Sequence, residues 1–199
     1  MRKKSEERRQ AIIDIAATTF NELGFEGASM SEISARLGGS KATLYNYFAS
    51  KEEIFVEVML QQVGQHYETA FISLIESDDL RAALQRFGVL YLTAVLRPEV
   101  VAVKRLAYYY AERSNLGPML YESGPKVGWA YLSEFLQDAM DKKQLCKADP
   151  WVAALQLRAL LEAEWVDIRM LGVITSAAPA RIRDSVERAI DAFMRVYKR

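Results

Sequence analysis

The side chains best placed to do chemistry in this sequence lie in one short stretch, KATLYNYF at residues 41–48. Read as a helix, it turns Leu44 and Phe48 inward, because residues four apart share a face, and leaves Lys41, Thr43, Tyr45, Asn46 and Tyr47 outward. Ala42 shares that outer face. A tyrosine hydroxyl there donates to a phosphate while its ring packs on the sugar. Thr43 reaches a phosphate or a thymine methyl, and Lys41 sits at a helix N-terminus already favourable to anions. Ser29 and Lys51 add donors at two further helix starts. The chemistry this implies is recognition of double-stranded DNA.

Catalysis and metal binding find no comparable cluster. The 199 residues hold one cysteine, Cys146, and one histidine, His66, so no C-x-x-C or H-E-x-x-H motif is available. Neither G-x-S-x-G, a P-loop nor G-x-G-x-x-G occurs. The expectation is therefore a protein that is not an enzyme and needs no cofactor or metal. Lys plus Arg and Asp plus Glu number 26 each, giving a formal net charge of zero, so any nucleic-acid contact must come from a local patch. A hydrophobic fraction of 51% with 10 Gly and 5 Pro describes a folded globular chain. A lone cysteine, the lack of an apolar leader and the lack of an uncharged run near the ~20 residues that span a bilayer predict a cytoplasmic protein without membrane contact.

Positioning those side chains requires helices. Apolar residues recur at three to four positions almost throughout, which predicts an all-α fold of about nine helices. The first carries Ile12, Ile15, Ala16, Thr19, Phe20 and Leu23 and stops at Gly24, a residue suited to a left-handed cap. Ser29 and Glu32 form a capping box for the second, which Gly38-Gly39 ends. Ser40 opens the third over 41–48, and Ser50 with Glu53 launches the fourth. Beyond it, starts are expected at Asp78-Asp79, after Arg97-Pro98 and at Asp149-Pro150. An uninterrupted helix is expected from there to Gly172, and a last one over 179–198. Two short helices joined by Gly38-Gly39-Ser40 have helix-turn-helix dimensions. This predicts a DNA-binding domain at 1–50 and a ligand-binding and dimerisation domain at 51–199. The basic start Arg2, Lys3, Lys4, Arg8, Arg9 is either a solubilising tail or a phosphate-tracking arm.

The stretch MSEISARLGGSKATLYNYFASKEEIF, with GFEGASM before it, resembles the DNA-binding signature of the TetR (tetracycline-repressor-like) transcriptional regulators. The resemblance covers about the first 55 residues. It implies DNA-contact roles for Ser29, Lys41, Thr43, Tyr45, Tyr47 and Lys51. This chain departs from the family where Leu37-Gly38-Gly39-Ser40 stands in place of alanine-glycine-valine-serine. The later runs VVAVKRLAYYYAERSNLGPMLYESGP and DPWVAALQLRALLEAEWVDIRMLG resemble AefR-like or AcrR-like effector domains, which implies a small-molecule effector.

The candidate effector-binding residues are His66, Tyr67, Phe71, Phe87, Tyr91, Arg105, Tyr109, Trp129 and Trp165, an apolar, aromatic set with His66 and Arg105 as polar anchors. The 150–172 segment is apolar around most of its circumference, and the last helix carries a single apolar stripe. Leu155, Ala159, Val166, Met170, Ile182, Val186, Ile190 and Phe193 are therefore the expected homodimer interface, a four-helix isologous contact. Together these readings predict a ligand-responsive homodimeric repressor on a palindromic operator. The alternative is a helical small-molecule-binding protein with weak or no DNA binding.

Overall fold

The computed structural model describes residues 2–111 and 114–198, with side chains from Ser5 onward, so the side chains of Arg2, Lys3 and Lys4 lie outside the described residues. The fold is all-α, as the periodicity requires. Its helices are α1 (Arg2–Gly27), α2 (Met30–Leu37), α3 (Lys41–Tyr45), α4 (Lys51–Ile72), α5 (Leu80–Val95), α6 (Pro98–Tyr110), α7 (Leu116–Ser123), α8 (Pro125–Asp141), α9 (Pro150–Glu162), α10 (Val166–Met170) and α11 (Pro179–Tyr197). No helix among the described residues is long and apolar enough to cross a membrane.

Local chemistry sets most boundaries. Gly24 holds φ 70°, ψ 171° and breaks the helical path inside α1, a conformation that costs an L side chain but not glycine. Ser29 Oγ accepts from Glu32 N at 3.1 Å and Ser50 Oγ from Glu53 N at 3.2 Å. Glu53 closes its box by accepting from Ala49 N at 2.6 Å, whereas the Glu32 carboxylate turns outward to Arg36 at 2.8 Å. Asp79 and Asp149 cap α5 and α9, and Pro150 fills the first turn of α9, where no amide is needed. The expected continuous 150–172 helix is instead divided: Trp165, at φ −129°, ψ −44°, departs from helical geometry and ends the run before α10. Gly124-Pro125 likewise separates α7 from α8.

The residues fall into two compact units, one comprising the chain up to Gln62 with Tyr109–Ser123, the other Val63–Tyr108 with the chain from Gly124 onward. The first has Ile12, Ala16, Ile33, Leu44 and Ile54 fully buried at its centre. Phe20, Phe25 and Phe55 meet edge to face or stacked at centroid distances of 4.8–6.0 Å. Ile13 is buried where Leu23, expected in the same stripe, is exposed.

In the second unit α11 packs on α5 and α9. Gly88 makes this possible, since a Cβ there would come within 2.7 Å of Val186 Cγ1 and 2.9 Å of Leu161 Cδ2. Ile182, Val186, Ile190 and Phe193 are all buried inside the single chain, and Phe193 stacks on Tyr197 at 4.6 Å. This half of the expected dimer surface is intrachain core, because the narrow stripe of α11 is consumed by α5 and α9. Leu155, Val166 and Met170 stay half-buried and Ala159 exposed. With Val152 and Ala163 also exposed, α9 keeps an open face of small and apolar residues.

Candidate functional site

The turn between α2 and α3 is built by three hydrogen bonds. Gly38 adopts φ 68°, ψ 28°, its amide donates to Ala35 O, and Gly39 N donates to Ser34 O at 3.4 Å. Ser34 Oγ, buried, donates back to Gly39 O at 3.0 Å. The left-handed residue is thus Gly38. A Cβ on Gly39 would meet the movable end of Arg8, Nη2, at 2.9 Å and Leu37 Cδ2 at 3.9 Å. Ala at 39 is accordingly expected to be neutral or stabilising by up to ~1 kcal/mol, and Gly38→Ala to cost ~1 kcal/mol or more, both read from thermal unfolding. Equal losses at the two positions would contradict this assignment of the turn.

On α3, Ser40 Oγ accepts from Thr43 N at 3.2 Å and lies 3.0 Å from Thr43 Oγ1. Leu44 and Phe48 are buried, which leaves Lys41, Ala42 and Asn46 exposed, Tyr45 53% exposed, and Thr43 and Tyr47 half-buried at the edge of the same surface. Ser29 is exposed at the start of α2. Lys51 has a different setting. Its ammonium donates to Phe25 O at 2.9 Å and Ala28 O at 3.2 Å and lies 4.4 Å from the centre of the Phe25 ring. Two of its three donors are spent on the carbonyls that end α1, where a cation is favoured. Arg36 binds Glu22 and Glu32 at 2.5 and 2.8 Å, so it ties α2 to α1.

In the second unit, five of the candidate effector residues come together. Phe87 stacks on Tyr91 at 5.6 Å, Tyr91 meets Trp129 at 5.2 Å and Tyr67 at 5.9 Å, and Phe71 reaches Phe87 and Trp129 at 5.3 and 6.1 Å. The Phe71 ring lies where a Cβ on Gly128 would be, 2.7 Å away. The others are elsewhere. Arg105 donates to Met170 O and Arg169 O at 3.1 and 3.2 Å, capping α10. Trp165 donates to Ser185 Oγ at 2.7 Å, and Tyr109 is 58% exposed in the first unit. His66 is half-buried on α4 beside Tyr67. A separate open groove of about 560 Å³ runs between α5 and α11, lined by Arg86, Val89, Leu90, Arg183 and Glu187 among others.

The polar centre of this cluster is a residue that sequence reasoning missed. Glu162 accepts from the Tyr91 hydroxyl, from Arg158 Nε at 3.2 Å and from Arg158 Nη2 at 3.2 Å, and stands 3.7 Å from Lys104 Nζ. Burial opposes its charge, but Lys104 and Arg158 outweigh burial and hold the carboxyl below its ordinary range. Burial likewise lowers Lys104 and raises the phenols of Tyr67 and Tyr91. The available signal was Glu162 standing four residues after Arg158 within an otherwise apolar helix. No group of three or more His, Cys, Asp and Glu with metal-holding geometry occurs among the described residues.

Comparison with known proteins places both units. Residues 12–58 match the family described as bacterial regulatory proteins, tetR family, and residues 82–199 match the AefR-like transcriptional repressor, C-terminal domain. The regulator BetI of Agrobacterium fabrum is 30% identical over 109 residues, 54% of this chain and 53% of that protein. RutR of Escherichia coli is 37% identical over 54 residues, 27% of this chain and 26% of that one. The chain thus spans at most about half the length of these two relatives. Two solved structures align over nearly everything, each with a TM-score of 0.80. One, a regulator from Mesorhizobium loti, is 26% identical and covers 98% of both chains. The other, the flavonoid-responsive regulator FrrA, is 29% identical over 97% of this chain and 98% of its own. The second match alone takes in more than half of the sequence, and the chain belongs to the TetR family of DNA-binding transcriptional regulators.

Proposed function

We propose that the protein is a homodimeric repressor that binds a palindromic operator through Lys41, Ala42, Thr43, Tyr45, Asn46 and Tyr47, with Ser29 beside them, and is released by a hydrophobic or aromatic small molecule. The observation that carries this reading is the outward face of α3, where an aromatic side chain and a lysine stand exposed over a fully buried Leu44 and Phe48. An exposed tyrosine beside an exposed lysine offers hydroxyl and ammonium donors to phosphate oxygens. Repression is supported by the AefR-like repressor match, and an aromatic effector by the full-length likeness to a flavonoid-responsive regulator. DNA binding belongs to residues 1–50, and ligand binding and dimerisation to 51–199.

Lys51 acts by fixing the end of α1 under the recognition surface. Helix α4 runs unbroken from Lys51 to Ile72 and carries both that residue and Tyr67 and Phe71, which makes it the element whose movement transmits effector binding. An effector shifts the operator equilibrium only by its differential affinity for the two states, ~1 to 3 kcal/mol in comparable couplings. Dimerisation uses the open α9 face of Val152, Leu155, Ala159 and Ala163, two copies of which form an isologous contact.

Fluorescence anisotropy with a labelled duplex from upstream of the protein's own gene tests this. Nanomolar binding that exceeds binding to random duplex, and that Tyr45→Ala reduces, is the expected result. Equal affinity for both duplexes overturns the regulator reading for that site.

A further inference from the structure

Around Glu162 the second unit holds more hydrogen-bond donors than acceptors and more positive charge than negative. Lys104 and Arg158 face a single carboxylate, which leaves one excess positive charge. Glu162 is nearly saturated, since it already accepts from Tyr91 and twice from Arg158. The Lys104 ammonium is paired with Glu162 at 3.7 Å, longer than a well-formed hydrogen bond, so its three donors are not saturated. Trp129 Nε1 is buried without a partner. Tyr67 touches the Tyr91 ring, and its hydroxyl makes no hydrogen bond to the described residues.

Of these three donors Trp129 Nε1 is the buried one, whereas Lys104, with 24% of its side chain exposed, and the half-buried Tyr67 stand at the solvent edge. An unpaired buried donor is uncommon because it loses its water without compensation, and a chain shaped only for stability fills such a position with Leu, Met or Phe. The donors here also share a setting. Tyr91 is in ring contact with both Tyr67 and Trp129 and donates to Glu162, while Arg158 Cζ lies 5.5 Å over the Trp129 ring. They therefore border the aromatic cluster of Phe71, Phe87 and Tyr91 and offer it an incomplete anion site.

We propose that the effector is an apolar molecule of aromatic size carrying one oxygen anion, a carboxylate or a phenolate. The anion pairs with Lys104 and accepts from Trp129 Nε1 and Tyr67, and the skeleton lies against Phe71, Phe87 and Tyr91. The proposal rests on the reading of this unit as the effector-binding part, and it adds the charge and the head group. Glu162 has a positioning role: its lone pairs are taken mostly by Arg158 and Tyr91, so that Lys104, paired with it only at 3.7 Å, keeps donors for a second anion.

Titration calorimetry with the full chain, using naphthalene-2-carboxylate, its methyl ester and 2-naphthol, tests this. The acid is expected to bind at least about tenfold more tightly than the ester, the factor a charge-assisted hydrogen bond supplies. Lys104→Met should reduce that preference to about twofold or less with ester binding retained, Lys104→Arg should restore it, and Trp129→Phe should weaken the acid several-fold. Ester binding by Lys104→Met also reports that the variant is folded. If Lys104→Met binds neither probe, the acid preference of Trp129→Phe relative to wild type decides, and an unchanged preference overturns the proposal. Naphtholate absorption at neutral pH on binding 2-naphthol assigns the anion to a phenol, and its absence with tight acid binding assigns it to a carboxylate. Equal affinity for acid and ester overturns the anion site while leaving an apolar effector in place. Failure of all three probes to bind at millimolar concentration overturns both.

Discussion

Raising salt from 50 to 200 mM is expected to lower the affinity for the operator duplex by about 10³- to 10⁵-fold, as for a dimer that neutralises about 6 to 10 phosphates. The chain has zero formal net charge, so a slope of that size can come only from a local surface. Lys41 is exposed at the first turn of α3 and is assigned to that surface in the function proposed above, whereas the Lys51 ammonium is bonded to Phe25 O and Ala28 O. The two lysines should therefore separate. Lys41→Met is expected to remove about two phosphate contacts per dimer and flatten the log–log slope by roughly 2. Lys51→Met is expected to lower the unfolding temperature and weaken binding with the slope nearly unchanged. Anisotropy titrations at four salt concentrations measure both effects. A flat wild-type profile, or equal slope changes in the two variants, would refute the assignment.

Phe193→Glu is expected to unfold the chain rather than merely divide a dimer. Phe193 is fully buried between α11 and its neighbours and stacks on Tyr197. Removing a buried phenylalanine side chain costs ~3 to 5 kcal/mol, and an unpaired carboxylate in its place adds to that. A total stability of ~5 to 15 kcal/mol leaves little margin for such a loss. Ala159→Glu provides the contrast. Ala159 is exposed on α9, so the single chain should keep its stability to within ~0.5 kcal/mol. The proposed isologous contact would then bring the two new charges together across its axis. Circular dichroism melts with sedimentation velocity distinguish the outcomes: a folded monomer for Ala159→Glu and loss of the helical signal for Phe193→Glu. A folded Phe193→Glu monomer would mean that α11 is interface and not core.

The sequence by itself determined the helical class, most helix starts and which side chains of 41–48 face outward, because those features are local. A capping serine and its glutamate are three residues apart, Leu44 and Phe48 are four apart, and Gly24 and Gly38 mark left-handed backbone at their own positions. Such signals are written within one or two helical turns and do not depend on what packs against them. Only the tertiary structure decided which neighbour takes each apolar face. The stripe on α11 reads the same whether another helix of this chain or a second copy covers it, and Gly88, about 100 residues away, lets α5 come close enough to do so. The same limit explains Arg105, Lys51 and Glu162. A long polar side chain is committed by the carbonyl or counter-charge within its reach, and those partners lie 65, 26 and 71 residues away in sequence. Apart from Arg158, four residues before Glu162, spacing along the chain carries no record of these partners, since they meet only when helices distant in sequence pack together.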